Sequence, residues 1–562
     1  MKKNVKRLWK TLCVLMAASL LAGCGAGSSS SGSGNSGKGM PAEQGARTEA
    51  TAAETWAETA AAYDGVYFEE GEAAPSAING SSSMTMRYQT AYGGEDFNTE
   101  EYNYISENGY KTTAEEPLST FSVDVDTASY SNLRRYINYG QEVPADAVRI
   151  EEMLNYFSYD YPEPKSDEPF SVTTEYSDCP WNEDNRLLLI GLKAKEIDFS
   201  HRPASNLVFL LDISGSMYSD DKLPLVQKSF TMLAENLTEK DRVSIVTYAG
   251  YESVVLDGVS GNQTAKIAAA LSDLEAGGST AGAAGIEKAY ELARKNYIAG
   301  GNNRVILATD GDLNVGISSE GELTRLIKEK KKDGVHLSVI GVGTGNLKDN
   351  KMEALADNGD GNYNYIDSIY EAKKVLVDEM GGTLVTVAKD VKIQVEFNPK
   401  YVSGYRLVGY ENRLLNQEDF NNDKVDAGEI GSGHSVTALY EIIPAEGGNT
   451  SGTQLKYQAS ADLVDSTELL TVNLRYKAPN GSKSTLLTYP VESDTYQAEP
   501  SETLSFAAAV AEFGMVLRDS EHKGNASYDT VLALAEPCIH ADTDDYKKEF
   551  LRLVETAKEQ YN

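Results

Sequence analysis

The chain has 562 residues, of which 41% are hydrophobic, and it carries 51 Lys and Arg against 85 Asp and Glu, a formal net charge of −34. This length allows two or three folded domains with large cores, whereas so acidic a surface repels phosphate backbones and argues against nucleic acid as a partner. The four cysteines and five histidines are dispersed, without the close spacing that a disulfide scaffold or a zinc hydrolase requires.

Residues 1–23 have the pattern of a secretory leader. Five Lys and Arg stand in the first ten positions, and the apolar run at 12–21 is too short for a membrane-spanning helix. The leader ends in Leu-Ala-Gly followed by Cys24, which resembles the lipobox of bacterial lipoproteins, where the cysteine sulfur takes a diacylglycerol. The resemblance implies lipidation at Cys24 and attachment to the extracytoplasmic face of a bacterial cell membrane.

Residues 24–97 are rich in Gly, Ser, Ala and Glu and show no sustained apolar periodicity. We interpret this segment as a flexible tether behind the lipid anchor. As a coil of about 70 residues it spans on the order of 45 Å, enough to hold a domain away from the membrane. The predicted anchor and tether indicate that the folded part works at a surface.

Residues 98–204 are interpreted as an N-terminal flanking domain. Apolar and polar residues alternate as in half-buried strands, or recur three or four apart as in helices. The predicted elements are a strand at 119–125, helices at 130–139 and 148–157, and strands at 170–176 and 186–194.

Residues 205–381 alternate apolar strands with amphipathic helices, which predicts an α/β domain with a doubly wound, Rossmann-like parallel sheet. Strands are predicted at 206–212, 242–248, 304–309, 335–342 and 362–366. Helices are predicted at 223–237, 265–274, 283–297, 322–332, 351–357 and 369–380. In such folds the ligands bind at the carboxyl ends of the strands.

Residues 382–562 are interpreted as a β-rich domain, sandwich-like in character, that ends in a helical stretch. Its strands are predicted at 391–397, 435–443 and 469–476, and its helices at 504–517, 529–534 and 546–560. Because each flank alone has few strands to cover an apolar face, we expect both flanks to form one sandwich. The central domain is then an insertion whose ends lie close together.

Three polar segments follow predicted strands or lie between helices of the central domain. The first strand ends in Asp212-Ile-Ser214-Gly-Ser216, a glycine-rich loop carries Thr280, and a later strand ends in Thr-Asp310-Gly. Oxygen side chains at alternate positions leaving an extended strand emerge on one side and can converge on one cation. We expect these side chains on loops at the edge of the sheet, outside its core.

Together the three segments resemble the metal-ion-dependent adhesion site of von Willebrand factor type A domains. The resemblance implies one divalent cation held by five side chains, those of Asp212, Ser214, Ser216, Thr280 and Asp310. Residues 117–130, 309–316 and 426–431 also look like blocks of a bacterial group of von Willebrand factor type A lipoproteins, the YfbK-like group. That wider resemblance covers the chain after the tether and implies no physiological role.

Hard oxygen ligands favour Mg²⁺, with Mn²⁺ and Ca²⁺ as the alternatives. Neutral hydroxyls supply little charge, so the cation stays electron-poor at an open position that an Asp or Glu of a protein partner can fill. The sequence therefore predicts a binding, adhesion or scaffold protein without catalytic residues.

Two other function classes remain open from the sequence alone. One is an envelope-associated hydrolase that uses the serines of the central domain, although neither serine stands in a G-x-S-x-G motif and the sequence places no base beside them. The other is a solute-binding lipoprotein, which needs two α/β lobes where the sequence predicts one.

Overall fold

The computed structural model describes residues 98–165, 168–198, 202–278, 282–311, 320–445, 465–540 and 545–561. The predicted leader and tether lie outside these ranges, and so do Cys24 and Thr280. Within the described ranges no helix combines the length and the apolar character needed to cross a bilayer.

The segment before the central domain forms strands and helices whose apolar side chains pack against the C-terminal part of the chain. Its strands are β1 Lys111–Thr112, β2 Leu118–Ser122, β3 Phe170–Asp178 and β4 Arg186–Ala194. Its α-helices are α1 Ala128–Asn138 and α2 Ile150–Asn155. The helices and strands predicted for this segment are confirmed in kind and in order.

The central segment is a six-stranded sheet in the order β10-β9-β8-β5-β6-β7. Its strands are β5 Ser205–Asp212, β6 Arg242–Tyr248, β7 Glu252–Ser260, β8 Asn302–Thr309, β9 His336–Val342 and β10 Tyr363–Ile366. Its α-helices are α3 Leu223–Glu235, α4 Thr264–Ser272, α5 Gly282–Lys295, α6 Glu320–Lys330, α7 Asp349–Asn358, α8 Ile369–Lys373 and α9 Met380–Leu384, with a π-helical turn at Lys374–Asp378. The predicted doubly wound α/β fold is confirmed.

Strand β7 is the element of this sheet that the sequence did not predict. It pairs antiparallel with β6 at the edge of the sheet, and most of its side chains are exposed. An exposed edge strand has little apolar periodicity, which explains why the pattern was not recognised.

Strand β5 shows why helices cover both faces of the sheet. All eight of its residues are buried, and successive side chains of a strand point to opposite faces. Leu207, Phe209 and Leu211 pack in one apolar core with α3, whereas Val208 and Leu210 pack in another core with α5. A strand with apolar side chains on both of its faces therefore requires cover on both sides.

The described part of the C-terminal segment contains six strands and three α-helices. The strands are β11 Thr386–Phe397, β12 Val402–Val408, β13 Ile430–Gly431, β14 Ser435–Pro444, β15 Glu468–Lys477 and β16 Ser484–Glu492. The helices are α10 Glu502–Leu517, α11 Tyr528–Ala535 and α12 Asp545–Tyr561.

The two flanks share their sheets. One sheet has the order β1-β12-β14-β4-β3, and the other has the order β13-β11-β15-β16 with β2 paired to β11. Each sheet thus takes strands from before and after the central domain, and their apolar side chains form one core. The prediction of one sandwich built from both flanks is confirmed.

The central domain leaves and re-enters the sandwich at the same place. The amide of Ile197 donates to Ser432 Oγ at 2.8 Å, and the amide of Ser432 donates to the carbonyl of Val385 at 2.8 Å. Because one residue contacts both connecting segments, the central domain is an insertion with neighbouring ends, as the sequence predicted.

Helices α1, α2 and α10 to α12 pack together around one apolar core. This helical layer contains a buried carboxyl group, that of Glu512. Thr530 Oγ1 donates to Glu512 Oε2 at 2.8 Å, while Glu512 Oε1 has no hydrogen-bond partner within the described part of the chain. Burial raises the pKa of Glu512 to about 7 against the partial compensation by Thr530.

Replacing Glu512 with Met is expected to raise the free energy of unfolding at pH 8 much more than at pH 4. A carboxyl whose pKa is raised in the folded state contributes its full stabilisation when the pH lies below its unfolded pKa of 4.5. This stabilisation is lost as the pH rises through the folded-state pKa of about 7. At pH 8 the wild type therefore loses about 3 kcal/mol of stability that Glu512→Met does not lose.

Urea unfolding of wild type and Glu512→Met between pH 4 and pH 8 measures this difference, with Glu555→Met at an exposed position as the control. Unchanged pH dependence in Glu512→Met would contradict the assignment.

Candidate metal centre at the edge of the central sheet

Two carboxylates lie at the ends of neighbouring strands of the central sheet. Asp212 is the last residue of β5, and Asp310 directly follows β8. The two strands pair in parallel up to Leu211 and Ala308, which brings both aspartates to the carboxyl edge of the sheet. Both have an exposed fraction of 0%. The expectation that these side chains lie outside the core is therefore wrong, because the strand ends that carry them are covered by neighbouring loops.

Asp212 is held by three hydrogen bonds. Its Oδ1 accepts the amide of Ser214 at 2.9 Å, and its Oδ2 accepts Thr309 Oγ1 at 2.9 Å and the Tyr248 hydroxyl at 3.2 Å. Thr309 and Tyr248 are the last residues of β8 and β6, so both neighbouring strands orient this carboxylate. Sequence reasoning did not assign either residue to the site, although each is the last residue of a strand that the sequence predicted.

Burial raises the pKa of Asp212 to about 6, and the charge of Asp310 adds to the shift, although the hydrogen bonds from Ser214 and Thr309 oppose it. The ionised form of Asp212 thus lacks full compensation among the described residues. A cation placed at this carboxylate supplies the missing charge.

Ser214 and Ser216 present their hydroxyls beside Asp212. The two Oγ atoms lie 3.0 Å apart, with Ser214 buried and Ser216 exposed. The amide of Gly215 donates to the carbonyl of Gly278 at 3.0 Å, so the glycine-rich loop reaches the same edge. Thr280 follows two residues later, outside the described residues, and its place in the site stays a prediction.

Asp310 contacts a cationic side chain that the sequence did not connect with the site. Lys222 Nζ lies 3.0 Å from Asp310 Oδ2 and 3.0 Å from Asn346 Oδ1. The next residue, Gly311, has φ +104°, and a Cβ there would lie 2.5 Å from the amide nitrogen of Lys348. Only glycine fits this turn, which explains the Asp-Gly pair at the end of β8.

The donor set suits a small, hard divalent cation. The described residues offer two carboxylates and two hydroxyls, all oxygen donors, of the kind that Mg²⁺ and Mn²⁺ prefer. The raised pKa of Asp212 is a second sign that a positive charge improves the site. The residues present therefore fit a divalent cation of the type that the sequence predicted.

Neither serine is hydrogen-bonded to a described His or Lys that could act as its base. Their hydroxyls hydrogen-bond to each other, and no described His or Lys donates to or accepts from either. His336 begins β9 and thus stands at the opposite, amino edge of the parallel sheet. Among the described residues, the serines therefore lack the His or Lys partner that activates the nucleophile in serine hydrolases.

Three family models match the chain. The von Willebrand factor type A domain model matches residues 206–379, and a further von Willebrand factor model matches residues 96–189. A model described as the C-terminal part of the uncharacterized protein YfbK matches residues 382–560. The uncharacterized protein YfbK of Escherichia coli (strain K12) is 45% identical over 470 residues, which are 82% of this chain and 81% of the relative. The chain belongs to the YfbK family.

More distant similarities have the same character. The uncharacterized protein sll0103 of Synechocystis sp. is 30% identical over 192 residues, 33% of this chain and 43% of that protein. A von Willebrand factor type A structure from Catenulispora acidiphila is 15% identical with a TM-score of 0.38, covering 71% of this chain and 91% of that one. VWA2 from Sulfolobus acidocaldarius, an ArnB paralog, is 15% identical with a TM-score of 0.34, covering 70% and 98%. These structural likenesses are too weak to carry a functional argument.

The match to the von Willebrand factor type A domain model suggests a general role for the central domain. Domains of the von Willebrand factor type A family are protein-interaction and adhesion modules, and they commonly hold a divalent cation at a metal-ion-dependent adhesion site. The family therefore favours an interaction protein over an enzyme.

The YfbK-family chain also contains acidic clusters away from this edge. Carboxylate oxygens of Asp124, Asp126 and Glu152 lie within 4.8 Å of one another, but Arg413 pairs with both aspartates and Arg149 pairs with Glu152. Guanidinium groups thus supply the positive charge there. We interpret this cluster as a structural ion network that joins the flanks to the central domain.

A second link joins the first described residues to the metal-site edge. Glu100 accepts two hydrogen bonds from Arg135, at 2.9 and 2.8 Å, and one from the amide of Gly345 at 2.8 Å. Burial raises its pKa, but the hydrogen bonds and charge of Arg135 outweigh burial and lower the pKa of Glu100 to about 2. The low pKa of Glu100 means that it keeps its charge, and with it the contacts to Arg135 and Gly345, over a wide pH range.

Proposed function

We propose that this chain is a surface-anchored adhesion or scaffold protein that captures a protein partner through a divalent cation. Asp212, Ser214, Ser216, Thr280 and Asp310 hold the cation, Mg²⁺ in the first place with Mn²⁺ or Ca²⁺ as alternatives. An Asp or Glu of the partner completes the coordination shell.

The observation that carries the proposal is the pair of buried carboxylates at adjacent parallel strand ends, with the serine hydroxyls beside one of them. Neutral hydroxyl ligands donate little charge to the cation, so it stays electron-poor at its open position and favours a carboxylate from outside. The residues of this chain bind and orient the cation and leave one side of it accessible to the partner.

A metal bridge also suits the charge of the chain. With a formal net charge of −34, the protein repels acidic partners at distances within a few Debye lengths. A cation shared between the two surfaces reverses this repulsion locally, and it makes capture dependent on the metal. Chelation should therefore release the partner, whereas a contact made of apolar surface would resist chelator.

The experiment is a cross-linking pull-down from bacterial membranes with the full chain as bait, in Mg²⁺ and in chelator. The proposal expects a partner that is captured in Mg²⁺, lost in chelator and lost with Asp212→Asn in Mg²⁺. Capture that is identical in all three samples would overturn metal-dependent binding.

We also propose that Cys24 carries the lipid anchor that places the protein on the extracytoplasmic face of the membrane. The support is the position of Cys24 behind two small residues at the end of the apolar run of the leader. Replacing Cys24 with Ala is expected to move most of the protein from the membrane fraction to the soluble fraction, because lipid chains are what bind the bilayer. Cell fractionation with immunoblotting measures the distribution, with Cys13→Ala as the control. Tight membrane association of Cys24→Ala would refute the anchor.

A further inference from the structure

Lys222 places an ammonium group inside the candidate metal centre. Its Nζ lies 3.0 Å from Asp310 Oδ2 and 3.0 Å from Asn346 Oδ1, and its side chain is 9% exposed, against 0% for Asp310. A buried lysine is costly unless a negative charge accompanies it. This pairing is therefore a built feature of the site, distinct from a surface ion pair.

The position of the lysine stem is fixed by packing. Gly343 has φ +75°, and a Cβ there would lie 2.3 Å from Cε and Cγ of Lys222, so the stem runs directly over this glycine. The Tyr365 hydroxyl donates to the carbonyl of Gly343 at 2.7 Å, and Glu100 accepts the amide of Gly345 at 2.8 Å. The loop that carries Asn346 is thus braced from two sides, and the ammonium group has little freedom to leave.

The charge balance of the site changes with this lysine. Two carboxylates and one divalent cation sum to zero, and Lys222 adds one positive charge in a buried setting where screening is weak. Without a cation the ammonium compensates Asp310. With a divalent cation bound, the cation and the ammonium of Lys222 both contact Asp310 and repel each other.

We propose that Lys222 is a resident counter-cation of the adhesion site, an inference that rests on the proposed function. It holds Asp310 in place when no metal is bound and weakens the affinity for the metal. It also gives the loaded site a net positive charge, which selects an anionic group on the partner. A divalent cation can replace the structural role of the lysine.

The test compares Lys222→Met and Lys222→Gln with the wild-type full chain and with Lys228→Met. Lys228 is exposed on α3, the helix that begins directly after Lys222, so its replacement changes the net charge equally without touching the site. Calorimetric titration of Mn²⁺ gives the affinity, and thermal unfolding with and without Mn²⁺ gives the stability of each state.

We expect both Lys222 variants to bind Mn²⁺ about tenfold more tightly or better, and Lys228→Met to stay within about twofold of wild type. Without metal, the temperature midpoint of unfolding should be lower in the Lys222 variants than in wild type. Added Mn²⁺ should raise this midpoint more in the variants than in wild type. Unchanged or weaker Mn²⁺ affinity would overturn the inference, and so would variants that Mn²⁺ fails to restore to a folded state. Absence of Mn²⁺ binding in the folded wild type would instead overturn the proposed function.

Discussion

Replacing Arg413 with Met is expected to lower the free energy of unfolding at pH 7 by about 3–5 kcal/mol, the range for breaking a buried ion pair by removing one partner. Arg413 contacts Asp124 at 2.8 Å and both Asp126 and Glu353 at 3.2 Å, and it also pairs with Asp357. Removing the guanidinium leaves four carboxylates in one largely buried cluster. Urea unfolding monitored by circular dichroism measures the loss.

The pH dependence of this loss identifies its cause. Burial already raises the pKa of Asp126 well above its usual range and that of Glu353 to about 7. Without Arg413 these carboxyls are protonated still more readily, so the destabilisation should shrink as the pH falls from 7 towards 5. Arg552→Met, at an exposed position of α12, is the control. A loss below about 1 kcal/mol, the range of surface ion pairs, would contradict the structural role of Arg413.

Replacing Asp212 with Asn is expected to abolish the stabilisation of the chain by Mg²⁺ or Mn²⁺. A cation present at a hundred times its dissociation constant stabilises a folded protein by about 2.7 kcal/mol, and the variant should lose nearly all of this gain because a charged ligand is removed. The metal-free variant should stay folded because Asn has the shape of Asp. The replacement also removes a buried carboxyl whose pKa is raised to about 6, so its charge is costly without a metal. Thermal unfolding over a metal titration measures both quantities.

Two further variants make this test specific. Ser216→Ala removes an exposed hydroxyl that a water molecule can replace, so its metal stabilisation should persist with a modest loss of affinity. Asp310→Ala is a poor substitute for Asp212→Asn, because it leaves the buried ammonium of Lys222 without its carboxylate. Equal stabilisation of wild type and Asp212→Asn by the cation would show that Asp212 is not a ligand.

The sequence predicted the parts of the fold that depend on periodicity. Strand β5 with its continuous apolar run at 207–211, the helices that cover it and the alternating strands of both flanks were all recognisable from the spacing of apolar residues. Asp212 and Asp310 could be placed at one edge because the carboxyl ends of parallel strands meet there. The placement of both aspartates at one edge of the sheet could therefore be predicted from the sequence.

The remaining features depend on contacts between residues far apart in the chain. Lys222 and Asp310 are 88 residues apart, and Arg413 and Asp124 are 289 apart, so no local pattern relates them. In a chain with 85 Asp and Glu, the sequence does not distinguish a carboxylate that is buried from one that is exposed to solvent. Only the tertiary structure separates the carboxylates of the metal site from those that arginines neutralise.

The most direct test of metal binding is a titration of Mn²⁺ into the full chain, followed by electron paramagnetic resonance of the free ion. The geometry of Asp212, Ser214 and Asp310 predicts one saturable Mn²⁺ site per chain that Mg²⁺ displaces and that Asp212→Asn lacks. A folded chain that leaves all added Mn²⁺ free, or an Asp212→Asn variant that binds it as tightly as wild type, would contradict the assignment of this edge as a metal-dependent adhesion site.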